Sequence, residues 1–87
     1  MISHYTEPTY LTATLTVDAE CLPHTRAVPT VKVRARIAYT DDGFLGVEEY
    51  DQVVIDDDNG PRKADDEELP DEVDRAIVAA ARRIGTR

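Results

Sequence analysis

The chain has 87 residues, of which 41% are hydrophobic and 32% are charged, and its formal net charge is −8. A chain this short buries only about 60 to 65% of the surface that its unfolded form exposes, so it can hold one sheet and one helix. Its single cysteine excludes an intrachain disulfide framework, and no apolar run approaches the roughly 18 residues of a membrane span. We therefore expect a single small domain over residues 1–87, in a cytoplasmic protein that has no membrane partner.

The acidic residues are concentrated in the middle of the chain. Residues 1–40 have a net charge of +1 and residues 75–87 have a net charge of +4. Residues 41–74 have fifteen acids against two bases, a net charge of −13. A small soluble domain needs a total charge of magnitude only about 2 to 8, so the middle segment is more acidic than solubility requires. Such a distribution bears on binding partners rather than on the fold.

Alternation of apolar and polar residues predicts two strands in the first half of the chain. Residues 10–18 alternate apolar residues with threonine, which is typical of a half-buried strand. Residues 19–29 have no period and contain two prolines, and are predicted to form a loop. Alternation returns over residues 31–40, where three basic residues separate apolar ones. The sequence Thr-Asp-Asp-Gly that follows predicts a hairpin, because Asp-Gly supplies the positive φ of a tight turn.

Residues 44–55 predict a third strand whose alternation is imperfect. Four of its apolar residues have odd numbers and would share one face of a regular strand: Leu45, Val47, Val53 and Ile55. Glu49 and Asp51 also have odd numbers and would share that face. Three arrangements are consistent with this pattern: a β-bulge between residues 48 and 51, a strand that extends beyond the rest of the sheet from its middle onward, or two carboxylates on the covered face. We favour the bulge, because it turns Tyr50 toward the core.

Residues 56–68 are predicted to form a solvated loop, because the sequence DDDNGPRKADDEE is too polar to bury anything. A helix is predicted over residues 69–84, with Pro70 in its first turn, acids near its start and arginines near its end. Most of its apolar residues fall within an arc of roughly 140°, whereas Val78 and Ala79 form a small apolar spot outside that arc. The predicted fold is α+β: a three-stranded antiparallel β-meander with one C-terminal α-helix packed on one face, in the order β-β-β-α.

Metal binding has two candidate sites, and each lacks an essential ligand. A calcium loop of the EF-hand type centred on Gly60 places Ile55 at position 1, where an oxygen ligand is required. Cys21 and His24 have a spacing suited to zinc, but with His4 they supply three nitrogen or sulfur ligands where a structural site needs four. The sequence therefore predicts no metal site and no cofactor.

Catalysis and nucleic-acid binding are also weakly supported. Cys21 with His24 has no identifiable third group to orient it as a nucleophile, and the adjacent Glu48 and Glu49 would point to opposite faces of a strand. The three bases of the second strand could follow a phosphate backbone, but acids on a neighbouring strand are expected to pair with them. We therefore predict a protein that is not an enzyme and that does not bind nucleic acid directly.

The acidic middle segment predicts a surface that binds a basic surface of a protein partner, because complementary charge steers association and sets register. The competing interpretation is compositional, since a solvated loop tolerates many aspartates. The acids expected to contact the partner are Asp41, Asp42, Glu48, Glu49, Asp51, Asp56, Asp57, Asp58, Asp65, Asp66, Glu67 and Glu68.

A basic surface in a cell is most often a nucleic-acid-binding site, so the sharpest form of this hypothesis is a nucleic-acid mimic. In charge and size the chain resembles the small acidic inhibitors that phages and mobile elements encode against nucleases and against restriction or CRISPR complexes. That resemblance implies an inhibitor. The alternative is a homo-oligomeric structural or accessory domain, for example a homodimer, that associates through the open edges of the meander or through the apolar spot.

Overall fold

A computed structural model describes residues 7–85 as an α+β structure with one antiparallel sheet and a C-terminal helix. The elements are strands β1 (Thr9–Asp18), β2 (Thr30–Thr40), β3 (Gly43–Asp57) and β4 (Gly60–Ala64), a 3-10 helix (Asp66–Glu68) and helix α1 (Asp71–Gly85). The strands lie in the order β1-β2-β3-β4, and α1 contacts β1, β2 and β3. The predicted class is confirmed, but the prediction of three strands is wrong because the described residues form four.

The core lies between α1 and one face of the sheet. Val31, Val33, Ala35 and Ile37 of β2 are all 0% exposed and alternate with exposed basic residues, as the period of two predicts. The other elements contribute to the same core Leu15, Ala19, Val53, Ile55, Val73, Ile77 and Ala81. The opposite face of the sheet has no helix over it among the described residues, and the side chains of β2 on that face are exposed at Lys32, Arg34 and Arg36 but buried at Ala38.

Three β-bulges interrupt the pairing of β3 with β2. The register skips Leu45, Glu48 and Asp51, each of which is an extra residue on β3. Each extra residue shifts the alternation by one position, so the residues that face the core are spaced by three instead of two. These inward residues are Phe44, Val47, Tyr50 and Val53. The bulge predicted between residues 48 and 51 is confirmed, and Tyr50 packs against the core.

Leu45 does not occupy the position that the sequence predicts for it. Its side chain is 58% exposed, because it is the extra residue of the bulge nearest the β2–β3 turn. Phe44 packs against the core in its place. The prediction that odd-numbered residues share one face is therefore wrong for this part of β3, because side chains alternate regularly only where the pairing of strands is uninterrupted.

The solvated loop predicted over residues 56–68 is wrong in its first half, which forms a second hairpin. β3 continues to Asp57, and the pairing of β4 with β3 runs from Val53 with Ala64 to Asp57 with Gly60. The polar stretch escaped detection because β4 is a short edge strand that buries little, with Ala64 half-buried and the residues between Gly60 and Ala64 exposed. An edge strand of this kind needs no apolar face to join a sheet.

The two hairpins use the same turn chemistry. In the first, the Asp42 N–H donates to Thr40 Oγ1 at 3.2 Å, and Gly43 has a φ of +122°. In the second, the Asn59 N–H donates to Asp57 Oδ1 at 2.9 Å, and Gly60 has a φ of +95°. No other residue type has a positive φ in the described part of the chain. Each turn therefore combines a side-chain acceptor at its first residue with a glycine at its last.

Helix α1 begins at Asp71, two residues later than predicted. The carbonyl of Pro70 accepts hydrogen bonds from the N–H groups of Val73 at 3.0 Å and Asp74 at 3.1 Å, so Pro70 is the N-cap rather than a residue of the first turn. Leu69 is the C-cap of the 3-10 helix. The predicted apolar arc is largely confirmed, since its central residues Val73, Ile77 and Ala81 are buried.

Helix α1 runs antiparallel to β3. Near the start of the helix, Asp74 accepts a hydrogen bond from the hydroxyl of Tyr50. Near its end, the Arg82 guanidinium lies 5.6 Å from the centre of the Phe44 ring. Because β1 and β3 are both antiparallel to β2, α1 is antiparallel to β1 as well, and its C-terminal end lies toward the β2–β3 turn.

Candidate functional site

The predicted acidic surface is distributed along the whole length of β3. Asp41 and Asp42 lie in the turn before this strand, and residues 56–58 lie at its other end. β3 has fifteen residues, and at about 3.3 Å per residue it spans at most roughly 45 Å. Glu48 and Asp51 occur between these ends as extra residues of bulges. The acids therefore form an elongated strip rather than a compact patch.

An open groove of about 430 Å³ lies beside the middle of this strip, where β4 ends and β3 continues. Asp51 of β3 lines one side of the groove, and Asp65 and Asp66 at the start of the 3-10 helix line the other. Lys63 is its cationic lining residue. The second hairpin thus brings Asp51 close to Asp65 and Asp66, which follow it by fourteen and fifteen residues in the sequence, and the prediction of a loop could not anticipate this.

Tyr50 joins the groove to helix α1. Its ring packs against the core, its backbone lies at a bulge, and its hydroxyl donates a hydrogen bond to Asp74 Oδ1. Burial, the hydrogen bond to Asp74 and the nearby charge of Asp66 raise the pKa of Tyr50 above its ordinary value, so the phenol stays neutral at physiological pH. Sequence reasoning missed Asp74 as the partner of Tyr50. Asp74 lies one turn after Pro70, on the side of α1 that faces β3. The sequence alone does not give the direction of the helix relative to β3, so this contact could not be predicted.

The ion pairs of the acidic strip are few, and they are exposed except at the half-buried Asp57. Within residues 7–85, Asp51 Oδ2 lies 3.7 Å from Arg34 Nε, and Arg62 lies 4.0 Å from Asp57 and 3.9 Å from Glu68. Exposed pairs of this kind contribute about 0 to 1 kcal/mol each, and they bring only two cations to the strip. The strip therefore keeps most of its negative charge.

Three of the predicted partner-binding acids also hold local structure. Asp58 Oδ2 accepts hydrogen bonds from the Thr25 N–H at 2.7 Å and from Thr25 Oγ1 at 2.6 Å, which lower the pKa of Asp58 below its ordinary value. Asp57 accepts the turn hydrogen bond described above, and Glu68 Oε2 accepts one from the Asp65 N–H at 2.8 Å. A binding test should therefore use acids that have no such role. Among the predicted acids these include the exposed residues Asp41, Asp42, Glu48, Glu49, Asp66 and Glu67.

The basic residues of β2 lie on the open face of the sheet, away from α1. Arg34 pairs in register with Gln52 and forms its ion pair with Asp51. Arg36 lies opposite Glu49, and its guanidinium stacks 4.1 Å from the centre of the Tyr10 ring. Cross-strand neighbours therefore engage two of the three bases. Tyr10 was not singled out in the sequence, although its place in the alternation of β1 puts it on this face.

The candidate metal and catalytic residues do not assemble into a site in the described part of the chain. Cys21 is exposed, and His24 Nδ1 lies 2.9 Å from the carbonyl oxygen of Leu22. No group of three or more His, Cys, Asp or Glu side chains that could hold a metal ion occurs within residues 7–85. His4, the third residue of the zinc interpretation, lies outside the described residues.

The fold defines the class of protein as α+β, with a four-stranded antiparallel sheet that one helix covers on one face. No protein-family model, curated protein or solved structure matches the chain. In the part of the chain that the structure describes, no helix is long and apolar enough to cross a membrane. The site must therefore be interpreted from its own geometry and charge.

Proposed function

We propose that the protein is a non-enzymatic binding module whose acidic strip docks on a basic surface of a protein partner. The observation that carries this proposal is the strip itself. It contains exposed carboxylates along β3 and the 3-10 helix, and the ion pairs described there involve only Arg34 and Arg62. Concentrated like charges destabilise a compact domain, so their retention favours a role in recognition.

The framework around the strip supports a preformed surface. The glycine turns fix both ends of β3, and the Tyr50–Asp74 hydrogen bond ties its middle to α1. A preformed charged surface loses little conformational entropy when it binds, and its field accelerates the encounter with a basic partner. The bulges help because they turn Glu48 and Asp51 out of the ladder while Tyr50 stays against the core.

The elongated shape of the strip favours a nucleic-acid mimic, an inhibitor of the type that phages and mobile elements encode. The maximum length of roughly 45 Å corresponds to about 13 base pairs of DNA at most, or about 13 phosphates of one strand at 3.4 Å each. The strip has twelve acids between Asp41 and Glu68, a similar number of negative charges. A protein groove that accommodates a nucleic-acid strand would thus meet a comparable linear charge density.

A matched pair of charge-neutralised variants tests the proposal. The strip variant is Glu48→Gln, Asp66→Asn and Glu67→Gln. The control variant carries the same three changes in charge on exposed acids outside the strip, Glu7→Gln, Asp18→Asn and Glu20→Gln. Each protein is immobilised, and a nuclease-treated lysate of the source cell is applied at about 0.1 M and about 1 M salt, where the Debye length falls from about 10 Å to about 3 Å.

We expect the wild type and the control variant to retain the same protein at low salt, and the strip variant to lose it at least tenfold. Elution of that protein by a duplex DNA fragment of about 13 base pairs is the result expected of a mimic. Equal retention by all three proteins at both salt concentrations would contradict the proposal. A partner that the strip variant loses but DNA does not elute would support an acidic binding module and reject the mimic.

A further inference from the structure

Strand β1 forms one edge of the sheet and lacks the features that prevent edge pairing. It has ten residues, and its register with β2 is regular from Thr9 to Asp18. There is no proline and no charged residue in β1 before Asp18. Long, regular, uncharged edges are templates for another strand, and proteins usually protect them with proline, charge or bulges. In the described structure, β1 is paired on its β2 side only.

The direction of the backbone groups on β1 follows from one hydrogen bond. The Ala19 N–H donates to the Pro29 carbonyl at 2.8 Å, so Ala19 points its backbone groups toward β2. In an antiparallel ladder this direction alternates from residue to residue. The odd-numbered residues of β1 therefore bond to β2. The even-numbered residues, which point their N–H and C=O groups to the open edge, are Tyr10, Thr12, Thr14, Thr16 and Asp18.

The sequence of this edge is self-complementary about Thr14. When a second β1 runs antiparallel with Thr14 opposite Thr14 of the second copy, Thr12 meets Thr16 on the open face. On the covered face, Leu11 meets Val17 and Ala13 meets Leu15. Even-numbered residues then oppose even-numbered ones, so the outward N–H and C=O groups of the two copies pair in about ten hydrogen bonds. Polar residues thus meet polar ones on the open face and apolar residues meet apolar ones on the covered face, except at the two ends, where Tyr10 meets Asp18.

We propose that two copies of the chain associate through β1, antiparallel and in register at Thr14, to join their sheets into one of eight strands. The twofold axis passes through Thr14 perpendicular to the sheet, so both α1 helices cover the same face. Leu11 is 39% exposed, and its burial against Val17 of the second copy would extend the core.

Charge favours a second copy as the occupant of this edge. Residues 8–17 have no charged side chain, so two copies meet without like-charge repulsion along the seam. Asp18 lies opposite Tyr10 in this register, which keeps the two Asp18 side chains roughly 26 Å apart at 3.3 Å per residue. The acidic strip lies along β3 and the 3-10 helix, on the other side of β2, and remains exposed in the dimer.

The mass of the protein in solution provides the first test. Native mass spectrometry and sedimentation at about 10 to 100 µM should give twice the chain mass of 9.7 kDa. The association should persist at about 1 M salt, because it rests on backbone hydrogen bonds and apolar contact. A monomer over this range, or a dimer that salt dissociates, would overturn the proposal.

A matched pair of lysine variants locates the seam. Thr14 and Gln52 both lie opposite Arg34, one on each neighbouring strand, so Thr14→Lys and Gln52→Lys add the same charge beside the same residue. Thr14→Lys should give a monomer with an unchanged far-UV spectrum, and Gln52→Lys should remain a dimer. Thr14→Pro should also give a folded monomer, because it removes an N–H that points away from β2. A dimer that survives both Thr14 substitutions would overturn the proposal.

A separate experiment tests the register of the two β1 strands, and a general loss of stability would not produce its expected result. Thr14→Lys and Thr14→Glu chains should each be monomeric alone, since like charges meet on the twofold axis. Mixed in equal amounts, they should form a one-to-one heterodimer, because lysine then lies opposite glutamate. A mixture of folded chains that stays monomeric would contradict the pairing at Thr14. This outcome is independent of the partner capture described above, so either proposal can fail alone.

Discussion

The two edges of the sheet differ in length, charge and regularity. On the β4 side, the edge is divided between a five-residue strand that contains Pro61, Arg62 and Lys63 and the bulged, acidic part of β3. On the other side, β1 is regular, uncharged up to Asp18 and rich in threonine. Proline, charge and bulges all discourage strand pairing, and none of them occurs between Thr9 and Val17 of β1. The difference suggests two separate uses: a charged edge for a foreign protein and an uncharged edge for a second copy.

The largest expected effect contrasts one leucine at each edge. Leu15 of β1 is 4% exposed, whereas Leu45 of β3 is 58% exposed in a bulge. Leu15→Ala should lower the free energy of unfolding by about 2 to 5 kcal/mol, because it leaves a cavity in the core. Leu45→Ala should change it by less than about 0.5 kcal/mol. Urea unfolding at one fixed protein concentration measures both, and equal losses would show that β3 is not bulged at Leu45.

A smaller effect is expected at the glycines of β3 and its turns. Gly60 has a φ of +95°, and a Cβ there would meet no atom within 4 Å, so Gly60→Ala should cost about 1 to 2 kcal/mol through backbone strain alone. Gly46 has equal space and no positive φ, which makes Gly46→Ala the matched control. The control should be neutral or slightly stabilising. If both variants unfolded at the same urea concentration, the turn would not depend on glycine.

The hydrogen bond of Tyr50 should contribute about 1 kcal/mol, within the usual 0.5 to 1.5 kcal/mol of such bonds. Tyr50→Phe tests this at pH 7. Because folding raises the pKa of Tyr50, the wild type should keep its stability below pH 10 and lose it as pH rises further, when the unfolded phenol ionises first. Tyr50→Phe should lack this alkaline loss. Tyr10→Phe is the control, and should keep it.

The smallest effect is expected for Thr25→Val, which removes one of the two hydrogen bonds between the loop after β1 and the β3–β4 turn. Folding lowers the pKa of Asp58, so this contact stabilises the protein above the unfolded pKa and is lost as pH falls through the folded value. The variant should thus be slightly less stable than the wild type at pH 7 and equal to it in strong acid. A difference that does not diminish as the pH falls would point to another cause.

Local pattern was sufficient to predict the elements that have a regular buried face. The alternation in β1 and β2 and the apolar arc of α1 placed those elements within about two residues, the usual uncertainty at the ends of elements. β4 has no buried face of its own, so periodicity could not detect it. Its turn was nevertheless readable, since Asp-Asp-Asn-Gly repeats the chemistry of Thr-Asp-Asp-Gly. Polarity predicts a loop here and turn chemistry predicts a hairpin, and the structure follows the turn chemistry.

The geometry of the acidic strip was less predictable than its composition. The exposure of the acids follows from their chemistry, and every predicted acid is exposed except the half-buried Asp57. The groove between Asp51 and Asp66 depends on the chain reversal at Gly60, and the extension of the acids along β3 depends on consecutive bulges. Both are consequences of pairing with distant residues. A spacing of three at Phe44, Val47, Tyr50 and Val53 was the available signal for the bulges.

The bulges also determine where β3 tolerates a change in length. In a regular strand, deletion of one residue turns every following side chain to the opposite face, which is why strands rarely vary in length within a sheet. In β3, loss of Leu45, Glu48 or Asp51 would remove a residue that has no partner on β2 and leave the flanking pairs in register. Insertions and deletions that accumulate during evolution should therefore be found at these three positions. The acidic edge can diversify there while the core beneath it stays the same.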